Sequence, residues 1–296
     1  MNTVTAPDHH LDSSKTVLLI GANGGMGNAV AKALRAADYT VAATVSRPSA
    51  VAPFAEEYPD CPFVEALDLA DADQVKAKLL ELTASLKQIN AVVVCSAIAP
   101  CAPAETVSIA DFRRTIEINC TAALAIYQAC LPRLCETKGR LILTGSYSGK
   151  VATPVMASYV ASKFALEGLV DVMRLEAQEW EVDVVLVQPG ALDTPMMRNT
   201  QQTLERIIAT LPADVEKRYG RLYRQMKYRA DEGLANSNYT SPETAAQTVI
   251  EALAASRPET RYPIGDDAHF MLDMEKSCSD REIDAFILDM YRSAPV

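Results

Sequence analysis

The sequence predicts an α/β fold in which a doubly wound parallel sheet lies between two layers of helices. Two observations carry that expectation. Short, continuous apolar runs recur along the chain, the form of strands buried on both faces, and they alternate with helical stretches long enough to be crossover connections. The first of these runs ends in a glycine-rich turn that opens a helix. At 296 residues the chain can bury a sizeable core, and no Pro/Ser/Gly-rich linker interrupts residues 16–263. Residues 14–296 are therefore read as one domain. Residues 1–13, polar with His9 beside His10, read as a disordered lead-in.

Composition excludes several classes. With 28 basic against 38 acidic residues and a formal charge of −10, the surface repels nucleic acid and anionic membrane, though a local basic site for a phosphate is compatible with it. The 7 cysteines form no C-x-x-C pair, and their odd number suits reduced thiols rather than a disulfide framework. The 3 histidines are too scattered for a histidine-rich metal site, so no metal is expected. Without a run of 18 apolar residues there is no membrane span, and a cytoplasmic protein follows.

Thr16–Ile20 is the first strand, and Gly21, Ala22, Asn23, Gly24, Gly25, Met26 and Gly27 form the turn into the first helix. Such a turn presents bare backbone N–H groups at a helix N-terminus, where a pyrophosphate can sit; a tight turn without a ligand is the plainer reading of the loop alone. Thr40–Val45 is the second strand and ends in Ser46-Arg47. A dinucleotide site selective for NAD carries Asp or Glu near this place, whereas Arg accommodates the 2′-phosphate of NADP. No acidic residue occurs from Val41 to Ala55, so NADP(H) is the preferred cofactor, with NAD(H) as the alternative.

Phe63–Leu67 and Ala91–Val94 read as the third and fourth strands, followed by a long helix from about Ala110 to Glu136 that contains Asn119. Gly139–Thr144 is the fifth strand, delivering Ser146, and Val182–Val187 is the sixth. The segment 195–240 departs from the alternation; it starts with Met196 and Met197 and becomes basic and tyrosine-rich. Ser241-Pro242 is a helix start, and Tyr262–Gly265 holds the last strand. Residues 266–296 contain enough apolar side chains for a helix docked on the domain or on a partner subunit.

Tyr159 and Lys163 stand four residues apart in a helical stretch, hence on one face one turn apart. A phenol titrates near ~10, and an adjacent cation favours phenolate, bringing Tyr159 towards the range of a useful general acid or base.

Ser146 followed by Tyr159-x-x-x-Lys163, with the Gly21–Gly27 turn upstream, resembles the short-chain dehydrogenase/reductase family, over about residues 16–263. The stretch around Lys163 and the long tail are similar to its steroid- and retinol-oxidising branch. The resemblance implies a Rossmann-type fold and an oxidoreductase that interconverts an alcohol and a carbonyl by hydride transfer. In that reading Tyr159 is the acid or base, Ser146 binds the carbonyl oxygen, Lys163 holds the nicotinamide ribose, and Asn119 bends its helix and positions a relay water. Asp68-Leu69 resembles the adenine-contacting pair, and Pro189-Gly190-Ala191-Leu192-Asp193-Thr194 resembles the loop whose threonine contacts the nicotinamide carboxamide. The usual Asn-Asn-Ala-Gly is here Cys95-Ser96-Ala97-Ile98, so Ser96 and Ala97 stand at that support with an isoleucine in place of the glycine.

The resemblance further implies that segment 195–240 covers a small-molecule substrate, and that the chain forms a homodimer or homotetramer. Met156, Met196 and Met197 suit an adaptable apolar pocket. A lipophilic alcohol or ketone is the first expectation; a 3-oxoacyl thioester, a small polyol, or a dinucleotide-binding regulatory protein without turnover are the alternatives.

Overall fold

The structure, a computed structural model, describes residues 15–236 and 238–294; the expected lead-in at 1–13 lies outside the described residues. Seven strands, β1 (Thr16–Ile20), β2 (Thr40–Val45), β3 (Val64–Ala66), β4 (Ala91–Val94), β5 (Arg140–Thr144), β6 (Asp183–Pro189) and β7 (Arg261–Ile264), form a sheet in the order β3-β2-β1-β4-β5-β6-β7. Every pairing is parallel. The helices are α1 (Gly25–Ala36), α2 (Val51–Glu57), α3 (Ala72–Ala84), α4 (Ile109–Ile116), α5 (Ala122–Thr137), α6 (Ala157–Ala177), α7 (Pro195–Ala209), α8 (Ala213–Ala235), α9 (Pro242–Ala254), α10 (Asp266–Ser277) and α11 (Asp280–Arg292).

The pleat explains why β1 is apolar at every position from Val17 to Ile20. Leu18 and Ile20 enter one core with residues of α3, α5 and α6, while Val17 and Leu19 enter a second core with residues of α1, α2 and α9. Both faces are covered, so no position can be polar without desolvation, and each large side chain contributes about 1.5–3 kcal/mol on burial. The winding reverses between β1 and β4, and in such sheets the crevice at the carboxyl ends beside that reversal is where ligands bind.

The observed boundaries follow local chemistry. Asp71 caps α3, its carboxylate accepting the Gln74 N–H at 3.0 Å; Ser241 caps α9 through the Thr244 N–H at 3.0 Å, with Pro242 in the first turn. The long helix expected over 110–136 is α4 and α5 joined through a wide π turn at Glu117–Thr121, with Asn119 inside it. Strand β6 runs on to Pro189, because Gln188 and Pro189 pair with Pro263 and Ile264 of β7.

The departure at 195–240 is the helix pair α7 and α8. Its two ends are stitched together at the base, where Asp193 N–H donates to the Thr240 carbonyl and Thr240 N–H to the Ala191 carbonyl, each at 3.0 Å. The tail helix α11 docks on α8 of the same chain. Among the described residues no helix is long and apolar enough to cross a membrane.

Candidate active site

Parallel pairing brings every strand's carboxyl end to one edge of the sheet, and the residues singled out in the sequence gather there. The glycine turn follows β1, Ser46 and Arg47 follow β2, Asp68 and Leu69 follow β3, Ser96 and Ala97 follow β4, Ser146 follows β5, and Pro189 to Thr194 close β6. Tyr159 and Lys163 lie in the first two turns of α6.

The glycine turn fits a dinucleotide phosphate. Gly24 is the N-cap of α1 and no side chain caps that end, so the first-turn N–H groups face outward. A Cβ at Gly27 would run into the Gly21 carbonyl oxygen, so the turn can pass this close to the helix only with glycine there. Asn23 ties the turn to the end of β2, accepting the Ser46 N–H at 2.9 Å and donating to Ser46 Oγ at 3.1 Å. Arg47 beside it is exposed, with no ion-pair partner among the described residues. Asp68 is exposed and accepts the Ala70 N–H at 3.0 Å, while Leu69 is buried. Thr194 is buried and sits against Gly25, joining the β6 loop to the glycine turn.

On the other side of the cleft, Ser146 is buried; its hydroxyl donates to the Pro189 carbonyl at 3.2 Å and accepts the Ser148 N–H at 3.1 Å. Lys163 is 1% exposed, and its ammonium donates to the Thr144 carbonyl at 2.7 Å and lies 5.7 Å from the Tyr159 ring centre. Asn119 holds this wall to the β4 loop. Its Oδ1 accepts the Ile98 N–H at 2.9 Å, and its Nδ2 donates to the Ile98 carbonyl at 2.8 Å and to Ser162 Oγ at 2.9 Å. Ser162 in turn donates to the Tyr159 carbonyl at 2.7 Å. The amide of Asn119 thus pins both backbone groups of Ile98, the residue standing where the resembled motif has glycine.

One expectation is corrected here. The Lys163 cation does not bring the phenol down: burial pushes the Tyr159 hydroxyl above its ordinary value, with only the Ser146 hydroxyl working the other way. The same burial lowers Lys163 to about 8, opposed by the Cys120 thiol and the Glu167 carboxylate. Desolvation penalises both charged forms and is the largest cause of each shift.

The methionines divide. Met156 joins the apolar cluster of Cys101, Val155, Leu204 and Tyr223, whereas Met196 is 45% exposed on the outside of α7 and Met197 is only partly covered. A shallow apolar cleft of about 440 Å³, lined by Thr153, Pro154, Val155, Ala157 and Phe164 among others, opens at the start of α6 and contains neither Ser146 nor Tyr159.

Sequence reading missed two sets of residues around the site. Glu167, four residues beyond Lys163 on the same face, is buried and accepts from Gln188 Nε2 at 2.7 Å and Arg261 Nε at 2.9 Å. The i,i+4 spacing was a usable signal; its partners on β6 and β7 carried none. Asp267 accepts the Ala191 N–H, and Tyr147 packs beside Tyr291 and Met271 next to the Ser146 turn.

This fold and this site define a dinucleotide-dependent oxidoreductase architecture. A sequence profile described as short chain dehydrogenase matches residues 15–205. The chain belongs to the short-chain dehydrogenase family, whose members are NAD(P)-dependent oxidoreductases. It is 29% identical over 271 residues to 11-beta-hydroxysteroid dehydrogenase type 2 of Oryctolagus cuniculus, covering 84% of this chain but 64% of that protein. It is 28% identical over 276 residues to 3-amino-tetrahydro-pyrrolizinone reductase of Xenorhabdus hominickii, covering 91% of this chain and 93% of that one. A short-chain dehydrogenase of Burkholderia cenocepacia, solved in complex with NADP, superposes with a TM-score of 0.69 at 21% identity over 93% of this chain and 98% of that chain. That last likeness is one of fold.

Proposed function

We propose that the protein is an NADP(H)-dependent oxidoreductase interconverting an alcohol and a ketone or aldehyde, and that its substrate is lipophilic. The observation that carries the reading is the convergence of the Ser146 hydroxyl, the Tyr159 phenol and the buried Lys163 ammonium at the sheet edge that also holds the uncapped glycine turn. A bound nicotinamide supplies or accepts the hydride. Ser146 donates to the substrate oxygen as charge develops on it, and Tyr159 gives up its proton in reduction or takes one in oxidation. Burial keeps Tyr159 protonated through neutral pH, which suits it to the acid's role in carbonyl reduction. Lys163 and Asn119 hold the geometry of that pair, Lys163 from the Thr144 carbonyl and Asn119 through Ser162.

NADP(H) is favoured by Arg47, an exposed guanidinium beside Ser46 with no carboxylate paired to it among the described residues. The apolar surroundings of Met156, Tyr223 and Met226 favour a lipophilic substrate, as do relatives named for steroid and retinol oxidation. A homodimer or homotetramer is supported by the apolar side chains Phe164, Val172 and Leu175, exposed along one helix, α6. Mixing purified protein with NADPH and a panel of carbonyl compounds, and following absorbance of the reduced cofactor, tests the reading. Turnover of at least one apolar ketone, absent in Tyr159→Phe, is the expected result; no turnover with NADPH or NADH across the panel overturns it.

A further inference from the structure

Helix α8 carries six cations, and five have an evident disposition. Arg218 pairs with Glu105 and Asp214, Arg224 with Glu216, and Lys227 with Asp231, while Lys217 and Arg221 stand in solvent. Arg229 is the exception. It is half-buried, and among the described residues it has no carboxylate partner; one guanidinium nitrogen donates to the Met290 carbonyl at 3.3 Å. That carbonyl already accepts from Ser293 Oγ at 3.0 Å, so it does not depend on Arg229. A guanidinium cannot shed its proton, and it offers five donors in a fixed fork; placed half out of water with one long bond, it is a cation awaiting an acceptor.

Its surroundings adjoin the Ser146 turn. Tyr147 follows Ser146 directly, and it packs with Met226 and Leu222 of α8 and with Tyr291 and Met290 of α11. Burial first and the Asp267 carboxylate second push the Tyr147 hydroxyl up, the Tyr291 and Tyr159 hydroxyls add to this, and the Arg229 guanidinium opposes it. Tyr291 likewise senses Arg229. Neither phenol makes a hydrogen bond within the described residues. Tyr239, which donates to the Arg229 backbone carbonyl at 3.4 Å, completes the group. The two carboxylates nearest this ring are committed elsewhere: Asp267 accepts the N–H groups of Ala191 and Ala268, and Asp231 pairs with Lys227 and Gln201. Packing therefore links the Ser146 turn through Tyr147 to Tyr291 and Met290 of α11, and the Met290 carbonyl to Arg229, in a wall otherwise made of methionine, leucine and tyrosine.

We propose that Arg229, with the hydroxyls of Tyr147 and Tyr291, takes an anionic group at the far end of the substrate, so that the substrate is an amphiphilic keto acid or hydroxy acid rather than a neutral lipid. The proposal rests on the alcohol/carbonyl reading above and narrows it. A carboxylate supplies what the site lacks: two acceptor oxygens for the guanidinium fork and spare lone pairs for the phenols. Arg229 acts by binding; it is not assigned to the chemistry.

The test uses the full chain with NADPH, a series of straight-chain keto acids, and the methyl esters of the same acids. The parent protein is expected to favour one or more acids over the matching esters in kcat/KM by tenfold or more. In Arg229→Met, the value for that acid falls ten- to a hundredfold, chiefly through KM, while the ester and the affinity for NADPH are unchanged; Arg229→Lys keeps part of the preference. Raising the salt concentration erodes the acid's advantage in the parent and not in Arg229→Met. Equal losses for acid and ester in Arg229→Met, as a purely structural contact with α11 would give, overturn the proposal, and so does a parent that favours the ester throughout. If no member of either series turns over, the broader reading is what fails. Calorimetric titration of the acids into the NADPH-saturated parent and Arg229→Met then decides the matter, with loss of binding in the variant supporting the proposal and equal or absent binding in both overturning it.

Discussion

The Asp267 carboxylate accepts the backbone N–H of Ala191 at 2.8 Å, so the first turn of α10 holds the loop that follows β6. The contact is close enough that a Cβ at Gly190 would collide with the carboxylate. The tail is thereby tied to the loop proposed to hold the nicotinamide. We expect Asp267→Ala to raise KM for the cofactor by about tenfold through a freed loop, the loss of one charge-assisted hydrogen bond of roughly 1.5–3 kcal/mol. Gly190→Ala should be worse than Asp267→Ala, and the double variant better than Gly190→Ala alone. Cofactor titrations of the three proteins check this, and additive losses would show that the two residues do not meet.

Tyr159→Phe should abolish turnover with fold and cofactor affinity kept. The ring still packs, and the bond from Ser162 goes to the backbone carbonyl of residue 159, not to the phenol. Losing a positioned acid typically costs ~10²–10⁴ in rate. A Phe variant that reduces the best substrate at near the parent rate would remove Tyr159 from the mechanism.

Arg47→Ala should weaken NADPH by roughly ten- to a hundredfold and NADH far less, the scale of an exposed charge-assisted contact of ~1.5–3 kcal/mol. Because Arg47 is exposed, salt should shrink the parent's preference for NADPH. Fluorescence titration of both cofactors measures it; equal losses for the two would sink the assignment.

Glu167 is 3% exposed and joins α6 to β6 and β7 through Gln188 and Arg261, with Asp171 sharing the guanidinium at 2.9 Å. Glu167→Leu leaves the half-buried Arg261 without its main partner and should destabilise by about 3–5 kcal/mol. Glu167→Gln, which keeps an acceptor, should cost clearly less. Urea unfolding of both decides, and a Leu variant as stable as the parent would mean the cluster holds nothing together.

Stability should fall as pH rises above about 9. Burial holds the thiols of Cys95, Cys101 and Cys130 up to about 12, against an ordinary value of 9.0. Between those limits the unfolded chain has lost protons that the folded one keeps, so the stabilisation present at neutral pH drains away as pH climbs. Lys163, lowered to about 8, acts in the opposite sense up to its ordinary value of 10.5, but it is one group against three. Thermal melts across pH 8 to 11 should show a decline that is shallower in Cys130→Ala; a flat profile would contradict the assignment.

What was legible in the sequence is what has a local signature. Runs such as Thr16–Ile20 and Ala91–Val94 are strands because both faces are buried, and Ser241-Pro242 is a helix start because its partner lies three residues on. Tyr159 and Lys163 share a helix, so their spacing placed them together. The direction of the Tyr159 shift was not legible, since it depends on how far the fold desolvates the pair. Asp267, Arg261 and Arg229 meet partners 60 or more residues away, and nothing near them in the chain marks those meetings.

The two hydrogen bonds between residues 191–193 and Thr240 make the helix pair α7–α8 a cassette with a closed neck. The ends of a long excursion stay where they are whatever is strung between them, since the closure entropy of the loop grows only slowly with its length. Helices of other lengths and linings can therefore be exchanged there without moving β6, β7 or the loop at Gly190. A scaffold of this kind can change what it acts on while keeping how it acts.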